Sequence, residues 1–345
     1  SDVYKRQLEG KLSLTMPDLA VLGRGFSGGI TLDGTATKQG SARRIALTGR
    51  GTDLRFGQSD VDGALTGVTD LRLQASQDAQ GDFTIQAFEL KNQQMQATVQ
   101  GSIGETTDMT GQLDIRSLAS FGRGWRGALS ARGSFKDDGT GARRLDVTGT
   151  GRDLSFGQTQ VDGALTGETQ LALRGTERDG VFTIETAQVQ NPRLNVTAQG
   201  KLGQGATDLN AELRADDLRF LGQGFRGALQ ATARVADRPD GARAITARGT
   251  ARGLAVGNPQ ADAVLAGETT FELDAAQQAN GGLTVSRLQA GNGQFRVTGD
   301  GSPATGLNLD ARLNDLGLLV PGFPGPAGVR GRIQNTGPVS YTHLR

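Results

Sequence analysis

The chain has 345 residues, more than most single domains, so it holds either several domains or one array. Glycine supplies 53 residues and AVILMFWYC residues only 36%, so a thick two-layer core would be hard to fill, whereas a turn-rich single sheet is easily built. Lys plus Arg (37) balances Asp plus Glu (36) without long runs of either sign, which argues against nucleic acid as a partner; with no cysteine, disulfides and thiolate metal sites are excluded.

From the N-terminus, SDVYKRQ (1–7) departs from everything that follows and reads as a non-native, adapter-like end; PVSYTHLR (338–345) does the same at the other terminus. These ends hold both tyrosines, Tyr4 and Tyr341, and the only histidine, His343. No stretch approaches the ~20 apolar residues that span a bilayer, and no signal peptide is visible. The missing initial methionine reads as a fragment whose anchor lies outside.

Residues 8–337 read as one continuous β-repeat array, because no Pro/Ser-rich linker interrupts it. An aromatic marks each repeat, in GRGF, GRGW, GQGF and VPGF: Phe26, Trp125, Phe225 and Phe323. SARRIALTGRG, GARRLDVTGTG and GARAITARGTA follow from Ser41, Gly141 and Gly241; GQSDVDGALTG, GQTQVDGALTG and GNPQADAVLAG begin at Gly57, Gly157 and Gly257, a step of 100 residues in each case. The repeats run over about 26–125, 126–225 and 226–323.

Within each repeat the apolar period is two. Met95, Ala97, Val99, Gly101 and Ile103 alternate with Gln96, Thr98, Gln100 and Ser102; Leu194, Val196 and Ala198 alternate with Asn195, Thr197 and Gln199; Leu307, Leu309, Ala311 and Leu313 close the pattern. Asp137-Asp138-Gly139, Asp179-Gly180 and Asp240-Gly241 read as hairpin loops. About seven strands per repeat, some 24 in all, are expected, with short helical turns only at Leu118 and Leu218. The fold class is therefore all-β, an elongated, repeat-built, curled antiparallel sheet, either an open trough or β-solenoid-like.

Three motifs tempt a chemical reading. GxGxxG occurs at Gly23/Gly25/Gly28, Gly122/Gly124/Gly127 and Gly222/Gly224/Gly227, but a dinucleotide site needs a helix leaving it, and here an alternating strand does: Leu129, Ala131, Gly133, Phe135. A tight turn using positive φ, with the aromatic plugging the sheet wall, is the expected role. Asp60 and Asp62 hint at calcium, yet Asp60 becomes Gln160 and Gln260, and the lone Asp162 and Asp262 leave too few oxygens, so a turn or strand-end role is expected. No Ser/His/Asp triad and no P-loop lysine can be assembled. No enzyme activity, cofactor or metal is expected.

With phrases such as FTIQAFELKNQQMQATVQGSIG, FTIETAQVQNPRLNVTAQGKLG and VTGTGRDLSFGQTQVDGALTGETQLALRG, the array resembles the middle region of the TamB family and the broader AsmA-like periplasmic proteins. That resemblance implies a parent protein anchored in the inner membrane that spans the periplasm and meets an outer-membrane barrel partner, TamA-like, through a C-terminal region. It implies an apolar groove carrying phospholipid acyl chains between the two membranes. The lining expected from alternation is Val99, Val147, Leu171, Leu173, Leu194, Val196, Leu209, Leu229, Leu307 and Leu309, with Arg174 facing water. A phospholipid with ~30 acyl methylenes costs on the order of 24 kcal/mol to expose to water, so an apolar path lowers the barrier to transfer. The alternatives are an assembly scaffold for outer-membrane proteins or autotransporters, and a surface β-solenoid rod with a filled core.

Overall fold

The computed structural model describes residues 7–333, so the readings on Tyr4, Tyr341 and His343 lie outside the described residues. The chain falls into two compact units. One runs to Asp179 and includes Glu185–Asn191; the other comprises Gly180–Ile184 and the residues from Pro192 on.

Before the first repeat lies β1 (Gln7–Met16). The first repeat then holds β2 (Phe26–Gln39), β3 (Ala42–Phe56), β4 (Val68–Gln77), β5 (Phe83–Lys91), β6 (Met95–Ile103) and β7 (Thr107–Ile115). The second holds β8 (Trp125–Asp137), β9 (Arg143–Phe156), β10 (Glu168–Arg178), β11 (Val181–Gln190), β12 (Leu194–Leu202) and β13 (Asp208–Ala215). The third holds β14 (Phe225–Asp237), β15 (Arg243–Val256), β16 (Glu268–Gln277), β17 (Leu283–Gly291), β18 (Phe295–Ser302) and β19 (Gly306–Leu313), after which comes β20 (Ala327–Ile333). In the first unit β1 to β10 pair antiparallel in chain order; in the second, β12 to β20 do. The all-β, antiparallel, repeat-built class expected from the alternation is the class observed.

Each repeat has six strands rather than seven, because the first hairpin is long and the GQ…ALTG phrase is helical. Three short α-helices occupy that phrase: α1 (Ser59–Asp62), α2 (Thr159–Ala164) and α3 (Pro259–Leu265). The aspartate common to all three repeats explains the helix. Asp62, Asp162 and Asp262 each reach back to accept the N–H of Phe56, Phe156 and Val256, at 2.8, 2.7 and 2.7 Å. Single 3-10 turns do form at Leu118–Ser120 and Leu218–Leu221, and others form at Leu19–Leu22 and Leu316–Leu318. Asp18, Ser117, Asp217 and Asp315 cap them by accepting the N–H two residues on. The expected loop Asp137-Asp138-Gly139 starts on the last residue of β8 and leads toward β9, and Asp240-Gly241 falls between β14 and β15.

These helical pieces gather at one edge of each sheet, and most of the buried core lies beneath them. In the first unit Leu19, Leu54 and Leu65 form one cluster, and Ile115, Leu118, Leu154 and Leu165 form another. In the second, Ala215, Leu218 and Ala251 are the buried residues at the equivalent place.

Candidate functional site

Opposed residues of an antiparallel pair project to the same face, so the register can be followed strand by strand. Across the first unit one row reads Leu12, Gly34, Leu47, Leu73, Phe88, Val99, Gly111, Gly133, Val147, Leu173. The row beside it reads Leu14, Leu32, Gly49, Leu71, Leu90, Ala97, Leu113, Ala131, Gly149, Leu171. In the second unit a row reads Val196, Leu213, Ala231, Gly249, Phe271, Ala290, Val297, Ala311, Val329. Another there begins Gly200, Leu209, Val235, Ile245 and ends Leu307, Ile333. No polar side chain interrupts any of these rows.

All ten expected lining residues lie on this apolar face of their own unit. Val99, Val147, Leu171 and Leu173 belong to the first unit's rows; Leu194, Val196, Leu209, Leu229, Leu307 and Leu309 belong to the second's. Every one of them is half-buried. A sheet face sealed by a second layer would bury such residues almost completely, as Leu54 and Leu154 are buried under the caps at 2% and 3% exposure.

The opposite face is as consistently polar. Ser13, Asp33, Thr48, Arg72, Glu89, Thr98, Gln112, Arg132 and Thr148 face one another in register, ending on Ala172. Arg174 lies on this face, with Nε 2.8 Å from the Asp146 carboxylate. Arg50–Asp70, Lys136–Asp108, Arg234–Asp208 and Arg330–Asp310 repeat the same cross-strand pairing, and the arginine beside each holds the Asp208 and Asp310 carboxyls below their ordinary values. Such exposed pairs set register more than they stabilise. A cavity of about 1010 Å³ in the second unit opens on this polar face, between Gln230, Thr250, Thr270 and Gln289. One of about 520 Å³ in the first unit lies against Ser130, Thr148, Thr150 and Gln170.

The glycine motifs resolve as strand architecture. Gly28, Gly127 and Gly227 have φ of 94°, 98° and 109° and sit at register shifts in β2, β8 and β14, where a Cβ would strike backbone carbonyls of the facing strand. The aromatics at these sites pair across their hairpins. Phe26 meets Phe56 edge-on at 6.2 Å and Trp125 meets Phe156 at 5.3 Å. Phe225 instead faces Val256, and Phe323 stands 64% exposed outside any strand.

Sequence reasoning missed a recurring polar staple. Asn92, Asn191 and Asn292 each donate from Nδ2 to a carbonyl at the end of the helical phrase, Ala64, Ala164 and Val264, at 2.8, 2.8 and 2.9 Å. Each also reaches the hydroxyl of a buried threonine, Thr69, Thr169 and Thr269, at 3.2, 3.2 and 3.3 Å. The exact 100-residue step of the threonines was the available signal.

Among the described residues no group of His, Cys, Asp and Glu could hold a metal, and no helix is long and apolar enough to cross a membrane. No family model, no curated protein and no solved structure matches this chain. What the arrangement offers chemically is a partly open apolar surface backed by a polar one.

Proposed function

We propose that the apolar face takes up phospholipid acyl chains, and that the chain is a segment of a TamB-like periplasmic protein, anchored through its parent in the inner membrane, that carries lipid between the inner and outer membranes. One observation carries the reading: apolar rows run without a polar break across every paired strand of each unit, and in the rows named above every residue except the buried Ala275 and Val285 stays at least partly open to solvent. Each acyl methylene moved from water onto such a surface gains about 0.8 kcal/mol at full burial, with no directional bond needed. A chain can therefore slide from row to row while its headgroup stays wet. The filled rod expects those same residues to be sealed, and they are not.

Photocrosslinking amino acids placed singly at Leu171, Leu173 and Val196 should capture phospholipid, while probes at Ala172 and Arg174 should not. Equal capture from the two faces overturns the proposal. A charge introduced as Val147→Asp should stop capture at Leu173 while leaving the strand signature in circular dichroism intact.

A further inference from the structure

The rim of the apolar face away from the caps differs between repeats. In the second repeat the residues facing one another at the end of the long hairpin are Asp137 and Arg143, an ion pair at 3.4 Å that Glu177 joins at 3.4 Å. In the third they are Asp237 and Arg243, paired at 2.9 Å. In the first repeat the same two places hold Lys38 and Arg43, with Gln77 in place of the glutamate. Like charges directly opposite each other across two strands destabilise the pair. Both side chains are exposed, and among the described residues neither joins an ion pair.

Strand parity places Lys38 and Arg43 on the apolar face. The next residues inward on the same rows are Ala36 and Ile45, which face each other, and Ala75, which faces Ile45. Ile45 is 39% exposed. Two unspent cations thus stand at the end of an open apolar surface, a pattern complementary to an amphiphile whose anionic head is joined to hydrocarbon. We infer that Lys38 and Arg43 form a headgroup site for net-anionic phospholipid at the rim of the first repeat, with the acyl chains running inward over Ile45. This rests on the acyl-chain reading above and adds to it a class of lipid and a point of capture.

The test places a photocrosslinker at Ile45 and offers phosphatidylglycerol or phosphatidylcholine in otherwise identical mixed micelles. Capture of phosphatidylglycerol should exceed that of phosphatidylcholine by roughly thirtyfold, the order expected for two cations near an anionic lipid at about 1 kcal/mol each. Lys38→Asp recreates the Asp–Arg pairing of the other repeats, so the variant should melt no lower than the parent and lose the preference. Asp137→Lys combined with Glu177→Gln, which copies the Lys, Arg and Gln of the first repeat, should create the preference in the second repeat, read from a probe at Leu145. Inorganic phosphate should not displace the lipid; displacement at equal concentration overturns the amphiphile assignment in favour of a plain phosphate site. Equal capture of the two lipids at Ile45, with face-selective capture persisting at Leu171, overturns the headgroup site alone. Absence of capture at both positions overturns the acyl-chain reading as well.

Discussion

The helical edges of the second and third repeats are built from matching segments, GRDLSFG at 151–157 and ARGLAVG at 251–257, and differ in ways that can be followed atom by atom. In the second, Gly151 leaves a space into which Leu154 packs to 3% exposure; in the third, Ala251 fills that space with its own methyl and Leu254 is only half-buried. Asp153 holds φ at 51° and its carboxylate accepts the Gly167 N–H at 2.8 Å, whereas Gly253 adopts φ 59° and keeps only the backbone bond to Gly267. Ser155 donates to Asp162 at 2.9 Å; Ala255 cannot. The difference teaches that this edge, and not the apolar rows, is where a repeat fastens itself. The rows tolerate Gly, Ala, Val, Leu and Phe in turn because nearly every position is at least partly open to solvent, while the edge changes in concert because its members touch.

The sharpest way to break the comparison is to empty the better-packed edge. Leu154→Ala should cost about 2–5 kcal/mol, the range for a buried leucine whose cavity cannot collapse. Leu254→Ala should cost visibly less, because that side chain is already partly open to solvent. Urea titrations of the two variants against the parent would check the order, and equal losses would refute it. A smaller effect should follow from making the second repeat resemble the third. A methyl added by Gly151→Ala would collide with the end of Leu154, which must swing outward toward the state of Leu254, at about 1–3 kcal/mol. Ala251→Gly should give no comparable gain unless Leu254 moves inward, which its accessibility to a solvent-phase probe would report.

What was legible in the sequence follows from which physics repeats at short range. Val147, Leu173, Val196 and Leu309 could be placed on one face because a strand alternates with period two, and any four residues display it. The step of 100 residues could be read because Gly57, Gly157 and Gly257 recur in similar company. The helix at Thr159–Ala164 could not, since six residues do not complete two turns and no 3.6-residue period can emerge. It is tied instead by a side-chain bond from Asp162 back to the Phe156 N–H six residues earlier, a pairing that neither alternation nor helical periodicity encodes. The Asn–Thr staple was hidden for the same reason: Asn92 and Thr69 lie 23 residues apart, and only the fold brings them within 3.2 Å. The charge reversal at Lys38 was in plain sight, yet it acquires meaning only when the register sets it opposite Arg43.

The smallest expected effect concerns Asp162, where the two repeats differ by one hydroxyl. The Phe156 N–H, followed by the Ser155 hydroxyl, holds the Asp162 carboxyl below its ordinary value. A folded-state value depressed below the unfolded one means that the unfolded chain binds the proton more readily. The stabilisation is therefore present above the unfolded carboxyl value, near pH 4, and is lost as pH falls through the lower folded value. Asp162→Asn removes the titrating group while keeping an oxygen that can accept the Phe156 N–H. Its stability relative to the parent should be lower at neutral pH, and the gap should narrow as the solution is acidified below about pH 4. Ser155→Ala, which imposes the third repeat's alanine on the second, should move in the same direction by less, since the backbone bond is the first cause and remains. Because the carboxylate sits at a solvent-facing edge, the gap should stay well below that of Leu154→Ala. Urea titrations repeated between neutral pH and pH 3 would decide it, and a gap that widens on acidification would show that the Asp162 carboxyl titrates above, not below, its unfolded value.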